Sequence, residues 1–346
     1  MSEIDPIYRE LAATIHGADL EYTPRILSLL ANKEQARILR ALPDRDREPG
    51  AGRSLKVSGE FARKLNIDKE IVDKHIWELF EKGVVFPTKV GPQMARTWMQ
   101  LHDSTLGNPK YDEALTNEFF DLWALAQDAA RKPVDANSHP DAAVFRVIPK
   151  WKSIRDIPGV LPCEDMREIL KAQELLALLH CGCKRSYRKR ECGVPEESCI
   201  NVGRTAQYNL ERGVGRRITY EEALRTLDDL DGHPVVNMVI NQKEVTQLVC
   251  SCHSCCCGAL KEGVAASRFE ALVDAKTCNE CGICVDRCQF GAAQMKVDPE
   301  TGQHRAYVDP QRCLGCGDCI TICPNGAMRM KLVRPPEHIP NSLTIY

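Results

Sequence analysis

Cys278-x-x-Cys281-x-x-Cys284-x-x-x-Cys288 is followed, 35 residues on, by Cys313-x-x-Cys316-x-x-Cys319-x-x-x-Cys323-Pro324. A cubane of iron and sulfide needs four thiolates around one inorganic core. A tight loop with a cysteine at every third position supplies three of them. A further cysteine, four residues on, points away from that loop. The two runs together offer eight thiolates, enough for two redox clusters, and so imply movement of electrons. Zinc is the other common use of C-x-x-C pairs. It takes two pairs and leaves the third and fourth cysteines of each run without a purpose.

The segment is an internal duplication. Val273-Asp274 precedes Cys278 as Val308-Asp309 precedes Cys313. Gly282 and Gly317 follow the second cysteine of each run, and Gly291-Ala292 and Gly326-Ala327 follow the last. Such a repeat predicts a pseudo-twofold fold of small strands and short helices.

On these motifs, residues 270–332 resemble the bacterial two-cluster ferredoxins. The resemblance implies a crossed ligand pattern, because the fourth cysteine of each run binds the other cluster in that family. One [4Fe–4S] cluster then takes Cys278, Cys281, Cys284 and Cys323. The other takes Cys313, Cys316, Cys319 and Cys288. One departure is visible: Gln289 follows Cys288 where the family usually carries proline. That proline shapes the loop and donates no ligand, so its replacement bears on loop geometry and potential.

The chain has 346 residues, too many for this module alone, and two or three domains are expected. A formal net charge of −2 argues against nucleic-acid binding in bulk, where electrostatics dominate affinity. The start, Met1-Ser2-Glu3-Ile4-Asp5, carries acids and no apolar core of a signal peptide. No apolar stretch is long enough to span a bilayer. Eighteen cysteines in such a chain read as metal ligands rather than disulfides, which implies a cytoplasmic protein of an anaerobic or microaerobic cell.

A second cysteine field lies upstream. Cys181, Cys183, Cys192 and Cys199 form one group; Cys250, Cys252, Cys255, Cys256 and Cys257 form the other. Thiolate-rich sites select iron–sulfur, zinc or Cu(I). A third [4Fe–4S] cluster is favoured, with a structural zinc as the alternative. Between residues 181 and 217 nine Lys or Arg face four acids, which would offset an anionic cluster. Two ligand sets are candidates: Cys181, Cys183, Cys192 and Cys199, or Cys250, Cys252, Cys256 and Cys257. Adjacent cysteines bind one metal uncomfortably, so one or two of Cys255–Cys257 are expected to be free or to bridge. His253 reads as a loop residue, and Cys163 as a small hydrophobe. No catalytic residue is nominated.

Arg146-Val147-Ile148-Pro149, Val160-Leu161-Pro162 with Glu164, Cys181-x-Cys183-Lys184, Arg216-Arg217-Ile218-Thr219 and the Cys250–Cys257 run are similar to a group of multidomain iron–sulfur proteins of anaerobic bacteria and archaea. That resemblance covers nearly the whole chain. It implies an α+β architecture with a winged-helix-like region at 1–131, a cysteine-rich metal-binding domain at 141–262, a ferredoxin-like 2[4Fe–4S] domain at 268–332 and a tail at 333–346.

Residues 25–42 read as one helix from Ile26, Leu27, Leu29, Leu30, Ile38 and Leu39. Ser58-Gly59 opens a second helix and Asn66-Ile67-Asp68 is a turn. A third helix carries Ile71, Val72, His75, Ile76, Leu79 and Phe80, Gly83 ends it, and Val84-Val85-Phe86 starts a strand. Five acids and three lysines lie between Asp68 and Lys82, unlike a recognition helix. Met94, Trp98, Met99, Phe119, Phe120 and Trp123 read as core, and 112–131 as a helix. Lys132–Pro140 reads as a linker, 164–180 as an amphipathic helix, Tyr220–Leu230 as a helix and Pro234–Ile240 as a strand. Gly213-Val214-Gly215 lacks the third glycine and the strand of a dinucleotide fingerprint.

Three functions follow as expectations. The first is an electron-transfer protein or subunit serving a partner oxidoreductase. The second is an oxidoreductase with its own metal site at the middle cysteines, and the third a redox-sensing winged-helix regulator. The expected partners are redox proteins; nucleic acid is disfavoured, no membrane span is expected, and a homo-oligomer is compatible.

Overall fold

The structure, a computed structural model, describes residues 4–16, 21–43, 53–130, 143–188, 192–297, 302 and 304–342. The linker expected at Lys132–Pro140 and most of the loop at Pro43–Gly52 lie outside the described residues. The chain divides into two units. One comprises Met1–Ala129, His180–Lys189 and Tyr208–Gly215; the other comprises Ala130–Leu179, Arg190–Gln207 and Arg216–Tyr346. The fold is α+β.

The first unit is built on helices α1 (Pro6–Thr14), α2 (Thr23–Leu30), α3 (Lys33–Ala41), α4 (Gly59–Leu65) and α5 (Lys69–Lys82). Strands β1 (Val85–Thr88) and β2 (Gly91–Met94) form an antiparallel hairpin, followed by helices α6 (Trp98–Leu106) and α7 (Asn117–Ala129). The single helix expected over 25–42 is in fact two. Asn32 takes an extended conformation, accepts the Gln35 N–H at 2.8 Å and receives the Gln35 side chain on its own N–H side. This capping box starts a new helix inside an unbroken apolar period.

The turn between α4 and α5 follows the sequence signals. Ser58 Oγ accepts the Phe61 N–H at 3.1 Å, Asn66 adopts the left-handed conformation at φ 55°, and Asp68 caps α5 through the Glu70 N–H at 2.8 Å. Val72, Ile76, Leu79 and Phe80 are buried, whereas Ile71 is exposed, one position off the core-facing stripe. Gly83 ends α5 at φ +86°, where a Cβ would strike the Ser104 carbonyl and the Arg212 guanidinium. Only glycine fits both constraints. The core gathers Leu11, Ile26, Leu30, Ile38, Ile76, Phe119 and Trp123.

The Tyr208–Gly215 segment is stitched into this unit. Tyr208 stacks on Phe86 at 4.3 Å between ring centroids and donates its hydroxyl to the Val85 carbonyl at 3.1 Å. Arg212 donates to the carbonyls of Ser104 at 2.8 Å and Glu81 at 3.0 Å.

The second unit contains a six-stranded sheet. Its strands are β3 (Phe145–Ile148), β4 (Leu176–His180), β5 (Glu197–Val202), β6 (Arg216–Ile218), β7 (Val236–Ile240) and β8 (Leu248–Cys252), in the spatial order β3-β7-β8-β5-β4-β6. The helix expected over 164–180 is short, Met166–Lys171, and gives way to β4. The run Leu175–Leu179 is continuously apolar, and periodicity cannot separate a buried strand from a helix in such a run. Pairing of Leu176 with Ile218 and Leu178 with Arg216 makes it a strand. The helix Tyr220–Leu230 has the expected bounds, capped by Thr219 Oγ1 on the Glu222 N–H at 3.2 Å.

The duplicated segment folds as two strand–loop–helix–strand halves. The first runs from β9 (Phe269–Val273) through helix Ile283–Arg287 to β10 (Ala293–Val297). The second runs from β11 (His304–Val308) through helix Asp318–Thr321 to β12 (Met328–Leu332). β9 pairs with β12 and β10 with β11, both antiparallel. The repeat extends to single bonds. Asp274 N–H donates to Ala327 O and Asp309 N–H to Ala292 O, each at 2.8 Å. Cys278 N–H donates to Asp274 O at 3.1 Å as Cys313 N–H does to Asp309 O at 3.0 Å.

Candidate metal centres

The two Cys-x-x-Cys-x-x-Cys loops sit between strand and helix of each half, and the core beneath them is Ile154, Phe269, Ala271, Ala292, Ala293, Met328 and Met330. Backbone freedom shapes the loops. Gly282 and Gly317 stand at φ +72° and +77° ahead of the two helices, and Gly315 at φ +68° lies where a Cβ would strike the Phe269 carbonyl and Ser267 Oγ. The Gly315 carbonyl accepts from Ser267 Oγ at 2.8 Å, which fixes the loop between Cys313 and Cys316.

The thiols fall into two neighbourhoods. Cys278, Cys281, Cys284 and Cys323 line one cavity together with Pro324 and Met328. Burial pushes the Cys284 thiol up, and the sulfurs of Cys278, Cys281 and Cys323 push the same way. Burial also pushes Cys316 up to about 12, with Asp318, Cys313 and Cys288 acting in the same direction. Cys319 is raised by burial and then by Cys316, Cys313 and Cys288, with Cys284 of the first neighbourhood last. A site that crowds four thiols against ionisation is balanced by a metal, which deprotonates them on binding. Peptide N–H groups already face the sulfurs: Ala271 to Cys313 Sγ and Ala293 to Cys288 Sγ, both at 3.5 Å. The donor set fits iron–sulfur clusters.

Charges surround the second neighbourhood. Arg287 Nε lies 3.0 Å from Asp318 Oδ2, and Lys150 Nζ lies 2.6 Å from Asp231 Oδ1. Lys150 N–H donates to the Cys316 carbonyl at 2.9 Å. Burial raises the Asp318 carboxyl, against the pull of Lys150 and Arg287. Nothing in the spacing of the cysteines announces these groups.

Gln289 occupies the position where proline was expected. Its Oε1 accepts the Ser254 N–H at 2.6 Å, and its Nε2 donates to the Pro234 carbonyl. A proline could make neither bond. The residue after Cys288 thereby holds the loop that carries Cys255, Cys256 and Cys257.

Three of the middle cysteines form one thiol group, and three members of the second ligand set considered above, Cys250, Cys252 and Cys257, form another. Cys192, Cys255 and Cys256 place their Sγ atoms within 4.8 Å of one another. Cys252 is hydrogen-bonded to Cys250 and Cys257, which raise its thiol well above the usual range together with burial. Cys181 and Cys183 belong to the first unit, where Cys183 lies with His102 and Asp103 in a group of the same dimension. His102 Nδ1 is 2.8 Å from Asp103 Oδ1, and its Nε2 is 2.5 Å from Gln127 Nε2. Cys199 lies in the second unit and accepts from Asn201 Nδ2 at 3.3 Å. His253 is a loop residue whose Nδ1 accepts the Cys255 N–H at 3.2 Å. Cys163 is half-buried, and burial pushes its thiol up. Cys255 stands outside both ligand sets read from the sequence, and His102 carries no motif.

The buried charges at the motif residues are structural. Arg268 Nη1 meets Glu164 Oε2 at 2.7 Å, both side chains buried. Arg146 donates to the carbonyls of Ile240 at 3.1 Å, Gln242 at 3.0 Å and Cys163 at 2.6 Å.

Residues 277–327 match the family model described as a 4Fe-4S dicluster domain. With the thiol neighbourhoods above, that match defines an iron–sulfur protein with a general role in electron transfer. A search of curated proteins found no match to the chain. Among the described residues, no helix is long and apolar enough to cross a membrane.

Proposed function

We propose that the chain is an electron-transfer protein or subunit that relays single electrons through two [4Fe–4S] clusters to a partner oxidoreductase. The assignment gives Cys278, Cys281, Cys284 and Cys323 to one cluster and Cys313, Cys316, Cys319 and Cys288 to the other. The observation that carries it is the gathering of Cys278, Cys281, Cys284 and Cys323 around one cavity, with Cys288, Cys313, Cys316 and Cys319 close to one another. When bound, each cluster takes up and releases one electron. The chain's own part is to hold the sulfurs and to aim the Ala271 and Ala293 N–H groups at them. Hydrogen bonds to sulfur and burial are the protein's means of setting a cluster's potential.

The N-terminal α4–α5–hairpin arrangement supports a winged-helix-like region used for contact with protein rather than DNA, given the acids along α5. A cytoplasmic location in an anaerobic cell suits the exposed Cys281 thiol. The chain contributes no dinucleotide or phosphate-binding fingerprint, so its electrons come from a partner.

Cys316→Ala tests the assignment. One cluster's paramagnetic resonance signal disappears and the other persists, with iron falling from about eight to about four per chain. Two unchanged signals would overturn the ligand assignment.

A further inference from the structure

We propose that Cys192, Cys255 and Cys256 hold a single thiolate-bound metal ion of the zinc class, separate from the dicluster cysteines. The inference goes beyond the electron-transfer reading and does not depend on it.

Spacing is the first argument. The three Sγ atoms all lie within 4.8 Å of one another. A zinc ion with Zn–S of about 2.3 Å in tetrahedral geometry sets its sulfurs roughly 3.8 Å apart, so a small closure completes the set. A cubane holds its thiolates on the outer corners of a much larger core. The eight dicluster cysteines behave that way: among the described residues, no three of them fall within the same circle.

Preorganisation is the second. The His253 carbonyl accepts the N–H groups of Cys256 at 3.2 Å and Cys257 at 3.0 Å, and His253 Nδ1 accepts that of Cys255 at 3.2 Å. The Ser254 N–H is held by Gln289 at 2.6 Å. Four successive amides, Ser254 to Cys257, are thus fixed, and the turn presents two neighbouring thiols to one point. Cys192 comes from a distant stretch and is anchored against Val194, Leu230 and Val235. Cys257 is drawn the other way, toward Cys252.

Chemistry is the third. Three thiolates form a soft donor set, which selects zinc, Cu(I) or iron–sulfur, and the tight spacing removes the cubane from that menu. Among the described residues the group so defined has three thiol members. A redox-silent ion here fastens the Cys192 segment to the loop that Gln289 ties to Cys288.

Elemental analysis of the anaerobically purified full chain tests this. The expected result is about one zinc per chain beside the dicluster iron, lost in Cys192→Ser and in Cys255→Ser while the iron is retained. Should those variants fail to fold, zinc-edge X-ray absorption of the unaltered protein is expected to show three sulfur neighbours at about 2.3 Å. Zinc surrounded by oxygen or nitrogen alone, zinc retained in both variants, a Cys192–Cys255 disulfide without metal, or four extra irons lost in Cys192→Ser would each overturn it. Iron content reports on the dicluster and zinc on this site, so the two readings fail separately.

Discussion

Gln289 Oε1 accepts the Ser254 N–H at 2.6 Å, which couples the residue after a dicluster cysteine to the turn bearing Cys255 and Cys256. Replacing it with proline removes this bond and the one to the Pro234 carbonyl and supplies nothing in return. Iron content is expected to stay constant, because no ligand is lost. Two buried-side hydrogen bonds are worth about 1–3 kcal/mol together. The guanidinium midpoint for cluster bleaching under argon should therefore fall in Gln289→Pro, and a midpoint equal to the parent's would show the tie to be inert.

The Arg268–Glu164 pair, at 2.7 Å with both side chains buried, behaves differently from a surface bridge. Removing one partner strands a charge in a low-dielectric interior, at a cost of about 3–5 kcal/mol. Arg268→Met and Glu164→Leu should each lower the unfolding midpoint steeply by circular dichroism. The double variant is expected to recover much of the loss. Additive losses would mean that the two groups are not coupled.

Tyr208 gives a signal in the ultraviolet. Burial lifts its hydroxyl to about 12, partly opposed by Arg212 and Arg53. A phenol raised this way contributes stability that is intact below about 10, its unfolded range, and is lost as pH rises toward the folded value. A spectrophotometric titration should show one of the chain's eight tyrosines ionising last, and Tyr208→Phe should delete that step.

His338 acts at the other end of the pH scale. Burial pushes its imidazole below the usual value of 6.5, although the bond of Nε2 to the Ala266 carbonyl at 2.9 Å opposes the shift. The folded chain disfavours the protonated ring, so the unfolded chain binds the proton first. Stability from this residue is full above about 6.5 and declines as pH drops through the folded value. Guanidinium midpoints measured between about pH 5 and 7.5 should slope less in His338→Gln than in the parent.

The dicluster fold was readable because its chemistry fixes residue type and interval together: the cysteines, the Val-Asp leads and the Gly-Ala trailers recur at one offset. The α4–α5 turn was readable from Ser58, Asp68 and Gly83, whose side chains or lack of one act within a few residues. What escaped depends on distant partners. Leu175–Leu179 became a strand because Arg216–Ile218 pairs beside it. The break at Asn32 depends on a reciprocal bond with Gln35 that apolar periodicity does not register. The convergence of Cys192 on Cys255 and Cys256 joins segments more than sixty positions apart, and no interval encodes it. Gln289 stood out only as a missing proline; its partners at Ser254 and Pro234 had no signature at all.

The two halves are alike in bonds and unlike in depth. Cys281 is open to solvent, while its counterpart Cys316 is only partly exposed. Oxidation follows thiolate character and accessibility. Dioxygen or an alkylating reagent therefore meets the Cys281 side more readily than the Cys316 side, and the molecule is expected to age from the open end of its duplication.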